Sequence, residues 1–411
     1  INGQEVKKIK VDGKEFMTGD TETALKNLPT SIVEKVKAYN DKSDLSRVTG
    51  IDDGNEETVL DFALKRGMNR GLFSNADVSY GTEDRYAERL MGAYFTDKLR
   101  FMFMGNANNV NNQGFPGGGG RGNFGRGRNG LNTSKMLGMN FNYDDGEKFK
   151  LDGSVRWNHN NSDARSKSSA ENFVSTLSSF SNSLNHSYTR GDRWNAQMRL
   201  EWKPDTTTNI LVGPAVSYPA NDSRSTNRSA SYNSDPYNYV DNPLDEDAIA
   251  TLDKEGVMVN SNNSSSIGYN ESKQFGGSLQ YNRRVGSKGR NFTVRGEGRY
   301  SEGNSNSLSL TNVHLYQVLN QAGADSTYQT NRYRVTPTRN WNYALQATYS
   351  EPLWKGAFLQ LSYKFNYSFS KSDQNTYDFS NLCEDFFSGL SPEYNTSRGS
   401  AIRMSLILTQ G

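Results

Sequence analysis

Alternation between apolar and polar side chains is the feature that most constrains this chain. From Phe149 to Trp157 the odd-numbered residues are mainly apolar and the even-numbered residues are polar, and the same two-residue period recurs over 194–202, 292–300 and 359–369. Such a period places successive side chains on opposite faces of a β-strand. Aromatic residues stand near the ends of the apolar faces, as in the girdles at the two surfaces of a membrane.

The spacing of these segments indicates how the strands are connected. The predicted strands are 71–81, 85–95, 98–107, 133–143, 147–159, 183–203, 207–218, 273–285, 290–302, 339–350, 357–370 and 399–409. Short turns such as Thr96-Asp97 alternate with long polar segments, and only 82–84 is a short link among the latter. The long segments are 108–132, 160–182, 219–272, 303–338 and 371–398. Because outer-membrane barrels combine short periplasmic turns with long external loops, the pattern predicts an all-β, antiparallel up-and-down transmembrane barrel.

Composition excludes several other classes of protein. The 411 residues carry a net charge of +2, so no bulk charge points to nucleic acid, and aromatic residues at 11% argue against disorder. No apolar run reaches the length of a transmembrane helix. The single cysteine, Cys383, excludes an intramolecular disulfide. His159, His186 and His314 lie far apart, so neither a metal site, a cofactor nor a catalytic set is predicted, and the chain is not expected to be an enzyme.

The first 66 residues differ from the remainder. They are rich in Lys, Glu and Asp, with strand patterns over 6–11, 32–39 and 58–65 and a short helix expected from Thr21. The turn Asp12-Gly13 is typical of a hairpin. The sequence therefore predicts two parts: a small α/β element over 1–66 and the barrel over 67–411.

Several segments of the small element carry a resemblance to a known family. Residues 11–16 (VDGKEF), 24–29 (ALKNLP), 32–39 (IVEKVKAY) and 50–54 (GIDDG) resemble the closing half of the plug of TonB-dependent receptors. Residues 71–112 are similar to the first barrel strands of related outer-membrane proteins.

The resemblance implies a function as well as a fold. It implies an outer-membrane transporter that takes up a large or scarce ligand (a glycan, a peptide or a metal chelate). Its partners would be outer-membrane lipid, a TonB-type energy-coupling protein and a surface lipoprotein, and no nucleic acid. A family barrel has about 22 strands, and its plug begins upstream of the segment that matches Ile1. On this basis we expect a fragment: a partial plug and about twelve strands.

Two sets of side chains are predicted to act in such a receptor. The polar strand faces would hold the plug by ion pairs or line a substrate path, through Lys148, Asp152, Arg156, Arg193, Arg199, Arg295, Glu297 and Arg299. Aromatic residues of the long loops would contact a carbohydrate or peptide ligand, namely Tyr232, Tyr237, Tyr239, Tyr328 and Trp341.

Other motifs have simpler interpretations. The segment 114–130 (GFPGGGGRGNFGRGRNG) resembles an arginine-glycine RNA-binding box, but within a neutral barrel it favours a flexible loop. Acidic runs at 52–57 and 241–247 could bind a cation, or could simply be solvated. Two alternatives to transport stay open: an outer-membrane scaffold or adhesin that transports nothing, and a soluble β-rich RNA-binding protein.

Overall fold

The computed structural model is almost entirely β-sheet. It describes residues 5–16, 21, 25, 33–43, 46–47, 56–67, 70–110, 130–173, 179–286, 289–319, 321, 323–354 and 357–378, and the backbone of 389–410. The strands are β1 (Lys8–Val11), β2 (Lys14–Glu15), β3 (Val33–Lys42), β4 (Glu56–Leu64), β5 (Gly71–Tyr80), β6 (Tyr86–Phe95), β7 (Leu99–Asn108), β8 (Leu131–Asp144), β9 (Phe149–Glu171), β10 (Phe180–Trp202), β11 (Thr208–Tyr232), β12 (Met258–Val285), β13 (Arg290–Leu319), β14 (Asp325–Trp354), β15 (Ala357–Asp378) and β16 (Gly389–Gln410). Between β11 and β12 lie a 3₁₀ turn (Pro236–Asn238) and helix α1 (Glu246–Lys254). No helix among the described residues is long and apolar enough to cross a membrane.

The first four strands form a small sheet of their own. Their order is β2-β1-β4-β3, with β1 parallel to β4 and the other neighbours antiparallel. Asp12 and Gly13 form the β1–β2 turn at positive φ, as the Asp-Gly dipeptide predicted. Most residues of the helix expected from Thr21, and the whole of the 50–54 segment, lie outside the described residues.

The other twelve strands form one large sheet. They follow each other in chain order from β5 to β16, and each pairs with the next in the antiparallel sense. Both the number of strands and the up-and-down order predicted from the sequence are confirmed. The two ends of the sheet, β5 and β16, are its edges, so the sheet is not closed.

One face of the large sheet carries two rows of aromatic residues. In four strands one aromatic residue of each row is found, and the two are eight positions apart: Phe149 and Trp157, Trp194 and Trp202, Phe292 and Tyr300, and Trp341 and Tyr349. Cross-strand pairing aligns each row: Trp157 lies opposite Trp194, and Tyr300 opposite Trp341. Eight positions correspond to roughly 26 Å along a strand, close to the apolar band of an outer-membrane barrel. We call this part of the strands the span, the aromatic-bearing face the outer face, and the opposite face the inner face.

Beyond one aromatic row the strands continue far outside the span. Strands β9 to β15 are 22 to 30 residues long, whereas about 9–11 residues cross a bilayer. The segments 160–182 and 303–338 were predicted to be loops, and this is wrong: they are mostly β-strand. Their Ser- and Asn-rich sequences lack an apolar face, but ladder hydrogen bonds require only the backbone. We call these parts the extended hairpins.

A small folded insert joins β11 to β12. Its apolar core packs against the end of the hairpin through Tyr232, Leu244, Leu252, Val257 and Met258. The hydroxyl of Tyr232 donates to the carbonyl oxygen of Pro243 at 3.0 Å. Because this core is closed, the predicted loop 219–272 is in fact two strand extensions joined by a compact, partly helical unit.

Candidate functional site

The small sheet packs against the inner face of the large sheet. A single apolar cluster joins Ile9, Val11 and Phe16 of the small sheet to Phe95 and Met104 of β6 and β7. Ile9, Val11 and Met104 are at most 1% exposed. Burial of this kind contributes roughly 1.5–3 kcal/mol for each large side chain, so the two sheets are held together mainly by apolar contact.

Arg100 is the main polar link between the sheets. It projects from β7 towards the inner face, and its Nη1 donates a hydrogen bond to the carbonyl oxygen of Val11. Its Nη2 lies 3.8 Å from the carboxylate of Asp12. The side chain is 8% exposed. An arginine that is buried in this way needs such partners, because an unpaired buried charge is costly.

A second polar link joins Arg47 to the foot of β10. Nη2 of Arg47 lies 3.0 Å from Oε2 of Glu201. The other carboxylate oxygen of Glu201 accepts from Nδ2 of Asn209 at 2.9 Å and lies 3.3 Å from Nζ of Lys203. Glu201 is 4% exposed. Its position is therefore fixed by three partners, one of which belongs to the N-terminal region.

A third polar link joins the small sheet to a short turn of the large sheet, and charged groups around it have shifted pKa values. Nζ of Lys14 donates to the carbonyl oxygen of Asp97, in the turn between β6 and β7. Burial, and after it the positive charge of Arg100, lowers the pKa of Lys14. Arg70 donates to the Asp97 carboxylate and lowers the pKa of that group. These contacts place the small sheet at the end of the large sheet that carries the short turns.

The charged residues predicted from the sequence are not all equivalent. Seven lie in strands and share the inner face by register, namely Asp152, Arg156, Arg193, Arg199, Arg295, Glu297 and Arg299. Lys148 lies instead in the exposed turn between β8 and β9. Of the seven, Asp152 is 9% exposed and lines a small cavity together with Glu15 of the small sheet. Contact with a plug, or with a ligand, stays a prediction for all eight.

The aromatic residues predicted to lie in ligand-binding loops are placed differently. Tyr237 and Tyr239 lie in the insert and are exposed. Tyr232 ends β11 and is fully buried, because it anchors the core of the insert. Tyr328 and Trp341 lie in β14, and Trp341 packs on Tyr300 with ring centroids 4.3 Å apart. The loop assignment of Tyr232, Tyr328 and Trp341 is therefore corrected, while a role in ligand binding stays a prediction for each.

The described residues of the other motifs make ordinary structural contacts. His159 lies 2.8 Å from the carboxylate of Asp192, and His186 lies 2.8 Å from that of Asp163. Glu57, from the first acidic run, pairs with Lys8 at 2.6 Å. Within the described residues no group of three or more His, Cys, Asp or Glu could hold a metal ion. Cys383 and 114–129 lie outside the described residues.

Sequence reasoning missed the residues that join the two sheets. Arg100 and Glu201 stand on the inner face at alternating positions, but period alone does not show which inner residues meet the small sheet. One signal was present: the inner face of β6–β8 carries the buried residues Met91, Met102, Met104 and Met136, whereas the inner face of β9–β15 is mainly polar. An apolar patch on a polar face indicates that something covers it.

Comparison with known proteins returns receptors of the outer membrane. No protein-family model matches the chain, and no curated protein matches its sequence. Among solved structures it is similar to the ferric-catecholate import receptor Fiu of E. coli K12 (8% identity, 99% of this chain and 90% of that chain, TM-score 0.21). It is also similar to the alcaligin outer-membrane receptor FauA of Bordetella pertussis (10% identity, 93% and 74%, TM-score 0.19). A third is the siderophore receptor PirA of Pseudomonas aeruginosa (11% identity, 96% and 91%, TM-score 0.16).

These structures belong to the class of protein that the sequence resembles. Likenesses at TM-scores of 0.16 to 0.21 do not carry the assignment of this chain. The fold rests instead on the strand order, on the two aromatic rows and on the alternation of faces. These features are those of an outer-membrane β-barrel sheet, which is the location and class that the sequence predicted.

Proposed function

We propose that this chain belongs to an outer-membrane receptor that imports a large or scarce ligand, with residues 1–66 as part of its plug. The observation that carries the proposal is the seating of the small sheet on the inner face of the large one. Buried apolar contacts and the Arg100 and Arg47 links all converge there. A wide barrel has a polar lumen and needs such an obstruction to remain sealed. The outer face, with its aromatic rows, suits contact with lipid.

The arrangement supports a division of labour. The extended hairpins would capture the ligand outside the membrane, and displacement of the small sheet would open a path past it. That displacement must break the Arg100 and Arg47 links and expose the apolar cluster around Val11. Such a change requires an energy source, which a TonB-type coupling protein would supply. The ligand would be a glycan, a peptide or a metal chelate, and a surface lipoprotein would assist capture; no catalysed reaction is part of this proposal.

Removal of the small sheet tests the proposal directly. In the whole protein, deletion of 5–64 should leave an assembled barrel that conducts in planar bilayers and that makes cells sensitive to vancomycin, which intact outer membranes exclude. An assembled barrel that stays closed without these residues would contradict the plug assignment.

The double variant Arg47→Gln/Arg100→Gln gives a second test in case the deletion variant fails to assemble. This variant should release the small sheet at a lower urea concentration than the parent protein. Arg332→Gln, which breaks an exposed ion pair to Asp378 at 2.8 Å in an extended hairpin, is the matched control.

A scaffold or adhesin is favoured by one observation, the long extension of β9–β15 with its folded insert. The two functions differ in whether the small sheet must move. A disulfide between Arg47→Cys and Glu201→Cys, scanned over neighbouring positions, should abolish uptake-dependent growth and restore it on reduction. If growth depends on the protein but not on the state of this disulfide, the scaffold is the better description.

A further inference from the structure

Charged residues change face at the aromatic row that borders the extended hairpins. In the spans of β9, β10, β13, β14 and β15, no outer-face residue is charged. Beyond the row the inner face of β9–β13 is uncharged instead. It consists of Ser, Asn, Thr and Gly with a few Ala, Pro and Val, at the even positions of 158–170 and 260–272 and the odd positions of 181–191, 219–231 and 301–313. A solute that enters along this wall therefore meets its first inner-face charges at the top of the span.

Those charges are predominantly positive. The contacts described above between the small sheet and the inner face all involve strands β6–β10. In β9 and β10 they involve only the part of the strand near the short turns. At the level of the span, with Arg193 just above it, the charged residues on the inner face of the remaining wall are Arg156, Arg193, Arg295, Glu297, Arg299 and Lys364. Glu297, the single anion among these six, accepts from Nε of Arg295 at 2.7 Å. Farther out, the inner face of β14 and β15 carries Arg332, Arg334 and Asp378, of which Arg332 and Asp378 form an ion pair.

The pairing register groups these cations closely. Arg156 lies opposite Asn195, and Arg193 lies opposite Asn158, so the two arginines are diagonal neighbours, roughly 7–8 Å apart at the backbone. Arg295 and Lys364 both lie opposite Gln346, from the two sides of β14. They are therefore two strands apart, about 10 Å. The two groups stand on opposite sides of the weakly charged β11 and β12.

We infer that the imported ligand is an anion with several carboxylate or phosphate groups. A cleft lined by charge of one sign concentrates oppositely charged solutes, and arginine binds carboxylate and phosphate through paired hydrogen bonds. An entrance that is uncharged along β9–β13, followed by a basic wall, draws such a ligand inwards without trapping it on that side of the mouth. The inference rests on the proposed function, since it concerns the path that the small sheet closes.

Ion selectivity of the opened protein tests the inference. The whole protein is placed in a planar bilayer, the small sheet is released with urea, and the reversal potential is measured in a KCl gradient. Chloride should permeate better than potassium. The variant Arg193→Gln/Arg299→Gln should lower the chloride-to-potassium permeability ratio by about twofold or more. Lys135→Gln, which removes an exposed cation from the outer face of β8, should leave the ratio unchanged.

Probe solutes then separate the sources of such an anion. Ferric citrate represents a small anionic chelate, an oligogalacturonate an acidic glycan, and maltoheptaose a neutral glycan. Block of the current by either anionic probe, weakened by the double variant, supports the inference and indicates the source. Potassium selectivity in the parent protein, or block by maltoheptaose alone, would overturn it. Absence of any current after release of the small sheet would overturn the plug proposal itself, and this result is distinct from a current with the wrong selectivity.

Discussion

The span and the extended hairpins are parts of the same strands, yet their sequences obey different rules. In β13 the ladder to β14 runs without interruption from Asn291 to Leu315. Its outer face is apolar in the span, at Phe292 and Val294, whereas both faces are largely polar beyond Tyr300. The difference shows that backbone pairing does not need an apolar face, and that only the lipid environment does. Hydrophobic periodicity therefore reports the membrane, while the length of the strand is set by hydrogen bonding.

A charge on the outer face should separate the two regions most strongly. Leu345 in the span and Ile267 in an extended hairpin are similarly exposed, at 49% and 46%. Leu345→Arg should abolish assembly, because arginine at the bilayer midplane costs about 2–4 kcal/mol, whereas Ile267→Arg should be tolerated. Heat-modifiable migration of outer-membrane extracts measures both. Asn342→Arg, on the inner face of the same strand as Leu345, is the control, and equal behaviour of Leu345→Arg and Ile267→Arg would erase the distinction.

A substitution in the core of the insert should destabilise the insert without affecting the span. Tyr232→Phe leaves the buried carbonyl of Pro243 without its donor, a loss of about 1–3 kcal/mol. When protease is added to intact cells, we expect faster cleavage within residues 233–257. Heat-modifiable migration should be unchanged. The exposed Tyr237→Phe should have no effect. A loss of barrel assembly in Tyr232→Phe would show that insert and span fold as one unit.

Two aromatic pairs, one in the span and one in the extended hairpins, allow a matched comparison in which a smaller effect is expected. Trp341 packs on Tyr300 in the aromatic row at 4.3 Å, whereas Tyr333 stacks on Tyr377 in the extended hairpins at 6.2 Å. Trp341→Leu should lower the free energy of unfolding by about 0.5–1.5 kcal/mol through the lost ring pair. Tyr333→Leu should lower it less, as read from urea midpoints in lipid vesicles. The reverse order would mean that the extended hairpins contribute more stability than the span.

The smallest effect should be a pH dependence at one short turn. Hydrogen bonds from the side chain and backbone of Thr207, and from Thr208, lower the pKa of Asp205 to about 2. A lowered carboxylate pKa stabilises the folded turn above the ordinary value near 4, and this stabilisation is lost as the pH falls towards 2. Amide exchange of 203–207 should therefore accelerate between pH 4 and 2. Asp205→Asn should exchange faster at pH 7 and lose the dependence, and an unchanged acid response would implicate another group.

The sequence by itself determined the strands of the large sheet and the alternation of their faces. The two-residue period located the twelve strands of the large sheet and, in four of them, the apolar face, because a face that contacts lipid is built from apolar side chains. Two results needed the tertiary structure. The Ser- and Asn-rich segments after Trp157 and Tyr300 continue as strands, since ladder hydrogen bonds leave no mark on side-chain polarity. The seating of the small sheet was also hidden, because Arg100, Glu201 and the inner methionines find partners more than 80 residues away in sequence. Contacts between distant segments depend on how the strands are arranged in space, which no local pattern encodes.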